Sequence, residues 1–289
     1  MDTTVEVTLL VVSEPSRPRR AHPRLAAGRA RALGLPTRGT TNANRLRRMD
    51  NWIAATLGPL LRRADDPLVV DLGYGATPVT AVELSSRLRR IRDDVRVVGV
   101  EIDRDRVTAA QPAQAPPWLS FVHGGFEFAG LRPALVRAAN VLRQYDEDAA
   151  AEAWRTMQRG LAPGGVIVEG TCDELGRLAG WVLLDERAPV SLTLACRVEN
   201  LSRPSELAER LPKSLIHHNV PGEPIHALLR DFDAAWEAAA PLSAFGARQR
   251  WTGACRALSE EWPVRIARAR HGELTVDWSA VAPGVNRAP

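Results

Sequence analysis

The sequence predicts an α/β fold: a doubly wound, mostly parallel sheet with helices on both faces, preceded by a helical N-terminal arm. Three observations carry this expectation. From residue 67 onward, short apolar runs alternate with stretches of helical periodicity, the pattern of repeated βα units. A glycine-bearing loop, Gly73-Tyr74-Gly75, follows the first apolar run where a strand hands over to a helix. The turn Ala162-Pro163-Gly164-Gly165 introduces a later apolar run in the same way. Apolar residues make up 45% of the 289, enough to bury a substantial core.

Each element can be justified in order. The apolar run at residues 7–12 is too short to span a membrane and lacks the basic flank and cleavage site of a signal peptide. It reads as a strand or a loose terminal segment. Residues 13–40, rich in Pro, Arg, Gly and Ala, read as an exposed arm. Residues 1–43 are therefore assigned to an arm or lid, and 44–289 to one domain. Leu46, Met49, Ile53, Leu57, Leu60 and Leu61 recur at helical spacing and predict a helix over 44–63, capped by Asn42 or Asn44, lying across the front of the domain. A strand over 68–72, an amphipathic helix over 79–91 and a second strand over 95–102 follow. Third and fourth strands are expected at 119–122 and 139–142. Asp146, Glu147 and Asp148 suit the positive end of a helix over 146–161, and a fifth strand spans 166–169.

The last third changes character. Two β-rich runs within 181–199 flank Asp185-Glu186-Arg187-Ala188-Pro189 and predict a hairpin. Leu228, Leu229, Phe232 and Trp236 predict a core helix over 225–240. Two more β-rich runs lie around His271-Gly272, within 263–278.

Charge and cysteine usage narrow the classes. The net charge is +4, carried almost wholly by arginine, with Lys213 the single lysine. So small an excess is most simply a solvated surface, and a nucleic-acid partner is possible but not favoured. Cys172, Cys196 and Cys255 form no CxxC pair and suggest no disulfide framework, which fits a reducing cytoplasm. His217, His218 and His226 are the densest histidines, and no third ligand is spaced convincingly for a metal.

The segment Val69-Val70-Asp71-Leu72-Gly73-Tyr74-Gly75-Ala76-Thr77-Pro78 carries the chemistry. Its glycines let backbone turn sharply and approach a ligand without a Cβ in the way. A dinucleotide fold wants a third glycine where Pro78 stands, to seat a pyrophosphate on the helix N-terminus. Asp71, just ahead of the loop, sits poorly beside a pyrophosphate and suits a cofactor with a positive amino-acid end. Glu101, at the end of the second strand, can accept both hydroxyls of a ribose.

This segment resembles motif I of the class I S-adenosylmethionine-dependent methyltransferases. Val98-Gly99-Val100-Glu101-Ile102-Asp103 resembles their motif II. Phe121-Val122-His123-Gly124-Gly125-Phe126-Glu127 resembles the third strand and its loop, with Gly125 where many relatives offer a polar side chain. Ala139-Asn140-Val141-Leu142-Arg143 resembles the fourth strand, and residues 161–169 the turn and fifth strand. The resemblance covers roughly residues 40–175. It implies S-adenosyl-L-methionine as cofactor and a class I methyltransferase-like sheet with an antiparallel C-terminal strand. It places a cofactor half at about 66–175 and an acceptor-side elaboration at about 176–262. The usual sixth and antiparallel seventh strands would lie in 189–198 and 263–278. By residue, it implies that Asp71 and the backbone of Gly73, Tyr74 and Gly75 hold the methionine portion. Glu101 binds the ribose, Ile102 packs on the adenine, Phe126 or Glu127 meets it from the other side, and Asn140 marks the junction with the acceptor.

Candidates near the acceptor are looser. An arginine of the stretch 38–45, Arg38 above all, can pair with the cofactor carboxylate. Arg143, Gln144 and Tyr145 follow the fourth strand; Glu169, Cys172, Asp173 and Glu174 lie at or beyond the end of the fifth. His217, His218 and His226 can serve as bases near neutral pH. Methyl transfer needs chiefly alignment of acceptor, methyl and sulfur, so no universal catalytic residue is assigned. The proline-containing segment of amino-methylating enzymes is absent after Asn140, a Pro-Cys pair is absent, and a two-lysine tetrad is impossible with one lysine. A small-molecule, lipid or sugar acceptor is left. An RNA or protein acceptor reached through the arginine-rich arm, and a non-catalytic cofactor-binding relative, are the alternatives.

Overall fold

The computed structural model describes residues 42–284. The arm and Arg38 lie outside the described residues. Nine strands form one sheet in the order β3-β2-β1-β4-β5-β6-β7-β9-β8. These are β1 (Leu68–Leu72), β2 (Arg96–Glu101), β3 (Leu119–His123), β4 (Leu135–Ala139), β5 (Val166–Cys172), β6 (Leu178–Leu184), β7 (Pro189–Cys196), β8 (Val264–Arg265) and β9 (Glu273–Asp277). The helices are α1 (Arg47–Arg63), α2 (Val79–Leu88), α3 (Arg104–Ala110), α4 (Glu147–Gly160), α5 (Lys213–Ile216), α6 (Pro224–Ala238) and α7 (Ala247–Leu258). Strands β1 to β5 pair in parallel; from β5 onward every pairing is antiparallel. This is a doubly wound, mostly parallel sheet with antiparallel C-terminal strands.

The parallel strands are apolar on both sides because helices cover both faces. On one face, Met49, Trp52 and Ile53 of α1 and Leu84 and Leu88 of α2 pack with Val69, Val97 and Leu135. On the other, Trp154 and Met157 of α4, Phe232 of α6 and Trp251 of α7 pack with Val70, Val136 and Ile167. Trp52 meets Trp181 of β6 edge to face, with centroids 5.6 Å apart, which ties α1 to the antiparallel part of the sheet.

Three expectations need correction. The fourth strand is Leu135–Ala139, not 139–142, so Asn140 follows its end. Its central residue is Arg137, which broke the apolar run in the sequence. The α1 helix begins at Arg47, and its first turn has no side-chain cap. Asn44 instead takes a positive φ of 61°, which asparagine tolerates, and its Oδ1 accepts from Arg87 at 2.9 Å. Finally, the antiparallel strand beside β5 is β6, reached by a direct hairpin, whereas residues 264–277 form the outer strands β8 and β9. The predicted hairpin between β6 and β7 is present, its turn held by Asp185 Oδ1 accepting from the backbone N–H of Arg187 and Ala188. Asp146 caps α4 by accepting from Ala149 N–H at 2.7 Å.

Among the described residues no helix is long and apolar enough to cross a membrane.

Candidate active site

Strand order reverses between β1 and β4: chain direction carries β2 and β3 to one side and β5 to the other. Ligands of open α/β sheets bind at such a switch point, beyond the strand C-termini. A cavity of about 840 Å³ lies there. Asp71, Gly73, Tyr74, Gly75, Glu101, Ile102, Phe126 and Asn140 all line it, so eight positions from four separate loops converge on one space.

The loop after β1 is shaped by its glycines. Gly73 has φ +64°, and a Cβ there would come within 2.8 Å of Val141 in the loop after β4. Gly73 N–H donates to Val100 O at 2.7 Å, and Gly75 N–H donates to Glu101 Oε2 at 3.1 Å. Glu101 Oε1 also accepts from the N–H groups of Ile102 and Asp103, at 2.9 and 3.2 Å. Burial raises the Glu101 carboxyl above its ordinary value, while Arg106 and these backbone donors pull the other way. The side chain of Tyr74 turns into the core, edge-on to Phe121 at 5.2 Å, and its hydroxyl donates to Arg106 O.

Asp71 is engaged within the protein. Both of its oxygens accept from Arg137, at 2.9 Å from Nε and 2.6 Å from Nη2. Arg137 also donates to Asp50 of α1 and to Thr80 O of α2, and Asp50 accepts from Arg87. Arg137 is wholly buried. Burial alone would lower its pKa, but Asp50 and Asp71 outweigh this and hold the guanidinium charged. Neither Asp50 nor Arg137 was singled out by the sequence. Their signal was an acid within an apolar helix face and an arginine within an apolar strand.

Asn140 has φ +62° and ties β4 to β5: its Oδ1 accepts from Cys172 N–H at 2.9 Å, and its Nδ2 lies 3.3 Å from Cys172 Sγ. Phe126 and Tyr145 stack edge to face across the cavity wall, with centroids 5.5 Å apart. Burial raises the Tyr145 phenol above its ordinary value, so it remains a hydrogen-bond donor at neutral pH. Glu127 is not part of the wall; its Oε1 accepts from Gly125 N–H.

The remaining acceptor candidates divide. Arg143, Gln144, Tyr145, Cys172, Asp173 and Glu174 line the cavity, joined by Arg45, Leu175 and Arg210. Arg45 donates from Nε to Asp173 O and from Nη2 to Cys172 O, and Asn42 Nδ2 donates to Glu174 O. The start of the domain is thereby fastened to the rim. Glu169 does not reach the cavity; it points into the core beneath α4. The histidines also lie elsewhere. His218 bridges Glu147 and Glu223, and His217 contacts Lys213.

No family model matches the chain, and no curated protein matches its sequence. Solved structures do. Magnesium protoporphyrin IX methyltransferase (ChlM) from Synechocystis PCC 6803, with bound SAH, aligns at 17% identity and TM-score 0.35 over 44% of this chain and 54% of that one. A putative methyltransferase from Thermobifida fusca YX aligns at 19% identity and TM-score 0.35, over 45% and 51%. The methyltransferase domain of the citrinin polyketide synthase aligns at 16% identity and TM-score 0.37, over 44% and 36%. The chain thus spans about half the length of the first two and about a third of the last.

Proposed function

We propose that this protein is an S-adenosylmethionine-dependent methyltransferase acting on a small-molecule acceptor. One observation carries the reading: the Gly75 N–H, which in a pyrophosphate-binding loop faces a phosphate, faces the Glu101 carboxylate. The loop is electronegative where a phosphate would need donors. It suits a cofactor that brings ribose hydroxyls and a cationic centre and no phosphate. The cavity volume falls within the usual range of about 300–1,000 Å³ for small-molecule sites.

The roles follow from placement. Glu101, held by three backbone N–H groups, presents a fixed carboxylate to the ribose hydroxyls. Ile102 and Phe126 supply apolar surface for the adenine, both being half-buried in the wall. The Gly73–Gly75 backbone borders the methionine portion. Asp71 serves this portion indirectly, because Arg137 occupies its carboxylate and fixes the end of β1. Asn140 holds the junction of β4 and β5, where cofactor and acceptor meet. The bound cofactor supplies an activated methyl on a sulfonium. The protein's share is alignment, which by itself accelerates a displacement strongly. The cavity residues Tyr145, Asp173 and Glu174 are within the space where an acceptor proton would be held or removed.

Calorimetry with S-adenosylhomocysteine tests the reading. Micromolar binding is expected, weakened by about tenfold or more in Glu101→Ala, since hydrogen bonds to a charged group are worth about 1.5–3 kcal/mol. No binding at millimolar ligand overturns it.

A further inference from the structure

We infer that the methyl acceptor carries an oxyanion group, a carboxylate or a phosphate monoester, and that Arg143 and Arg210 receive it. This rests on the methyltransferase reading for what the cavity does, though not for the charge of its walls.

Arg143 lies in the short turn Leu142–Gln144 after β4, and Arg210 ends the segment Pro204–Arg210 that follows β7. Separate parts of the chain thus bring two guanidinium groups to one cavity. Within the described residues Arg143 forms no hydrogen bond or ion pair. Arg210 has a buried Nε without a partner. Its Nη2 lies 3.3 Å from Glu209, a carboxylate 69% exposed and therefore a weak counter-ion. Partial desolvation of the Arg143 head group and then the charge of Arg210 raise the cost of charge on Arg143, against an opposing pull from Glu209.

Most of the other charges in the wall are already answered. Arg106 lies 3.6 Å from Glu101 and 3.7 Å from Asp103. Asp71 is matched by Arg137. Arg45 lies on two backbone carbonyls. Asp173 and Glu174 also line the cavity; Asp173 Oδ1 accepts from Arg177 N–H, and Glu174 is exposed. What remains is a pair of like charges with unused donors, one of them buried. An oxyanion relieves both costs at once, because guanidinium forks match carboxylate and phosphate oxygens two at a time. Phe126, Tyr145 and the 60% exposed Leu175 line the same cavity and offer apolar surface to the rest of the acceptor.

The test is calorimetry on the full chain with benzoate, phenyl phosphate and neutral benzamide, each with and without saturating S-adenosylhomocysteine. At least one anion should bind about tenfold or more tighter than benzamide, and which one distinguishes carboxylate from phosphate. Arg143→Gln and Arg210→Gln should each weaken that anion about tenfold. Arg143 is exposed, so its variant keeps the test readable if Arg210→Gln misfolds. Equal binding of all three probes overturns the inference, as does no binding of either anion. So does an Arg143→Gln variant that binds the anion normally, or variants that lose S-adenosylhomocysteine instead of the anion. Failure of wild type to bind S-adenosylhomocysteine overturns the methyltransferase reading instead, and the arm without that ligand still reports on the arginine pair.

Discussion

Arg137 and Glu169 sit on neighbouring strands of one sheet, both shielded from water, and they differ in what surrounds them. Arg137 on β4 faces α1 and α2, where Asp50, Asp71 and the carbonyl of Thr80 meet its guanidinium. Glu169 on β5 faces α4, where neither of its oxygens finds hydrogen-bond geometry. The indole N–H of Trp154, itself without a partner, only partly offsets the effect of burial, and the carboxyl is pushed up to about 8. One face of the sheet therefore keeps a buried charge by supplying two opposite charges and a carbonyl from three elements. The other stores a carboxylic acid that stays neutral by holding its proton. A buried charge without partners is not tolerated, but a buried acid is, below the pH at which it must ionise.

The comparison can be broken most easily at Arg137. Arg137→Met leaves Asp71 buried with no opposite charge beside it and Asp50 with Arg87 alone, and removing one partner of a buried pair costs about 3–5 kcal/mol. Urea denaturation should show a loss of that order. A loss under about 1 kcal/mol would mean that the network contributes little.

Glu169 predicts a pH dependence of the opposite kind. Its folded-state pKa is raised from the ordinary 4.5 to about 8, so the folded chain binds this proton more tightly than the unfolded chain does. Its contribution is complete below about pH 4.5 and is lost as pH rises towards 8, at roughly 1 kcal/mol per unit. Denaturation midpoints across that window should fall for wild type and fall less steeply for Glu169→Gln. Parallel profiles would show that Glu169 ionises at little cost.

Glu101 sharpens the contrast, because its buried carboxylate is held by three backbone donors, with Arg106 farther off at 3.6 Å. Glu101→Gln keeps the shape and loses the charge. It should weaken S-adenosylhomocysteine by less than Glu101→Ala, within about tenfold, and leave the unfolding midpoint nearly unchanged. Equal losses of affinity in both variants would assign the effect to charge.

The smallest effect is expected at His218, on the surface between Glu147 and Glu223. The hydrogen bond that its ring N–H donates to Glu147 raises its pKa, so its contribution is present below the ordinary value of 6.5 and is lost as pH rises through the raised value. His218→Ala should cost under about 1 kcal/mol near pH 6 and nothing measurable at pH 9. A loss that persists at pH 9 would mean that packing, not charge, is what His218 supplies.

The legible parts of the fold share one property: their residues report their surroundings directly. The bounds of β1 follow from an apolar run that ends at glycines, and Asp146 announced α4 because a cap acts within four residues. The glycine loop was legible because a positive φ and close packing against Val141 restrict residue type locally. The fourth strand was misplaced because Arg137 looks solvent-exposed until Asp50 and Asp71, 87 and 66 residues away in the chain, are brought to it. The histidines drew attention as the densest titratable group, yet packing turned His218 outward to two glutamates, away from the cavity.

By itself the sequence determined the alternation of strands and helices, the glycine loop that lines the cavity and the absence of a third glycine for a pyrophosphate. These are local consequences of side-chain periodicity and backbone freedom. Only the tertiary structure decided that Asp71 is held by Arg137, that Glu169 lies in the core, and that Arg143 and Arg210 share a cavity. Each depends on the distance between groups far apart in the chain. The energy of a charge is set by what lies within a few ångströms of it, and that neighbourhood exists only once the sheet has formed.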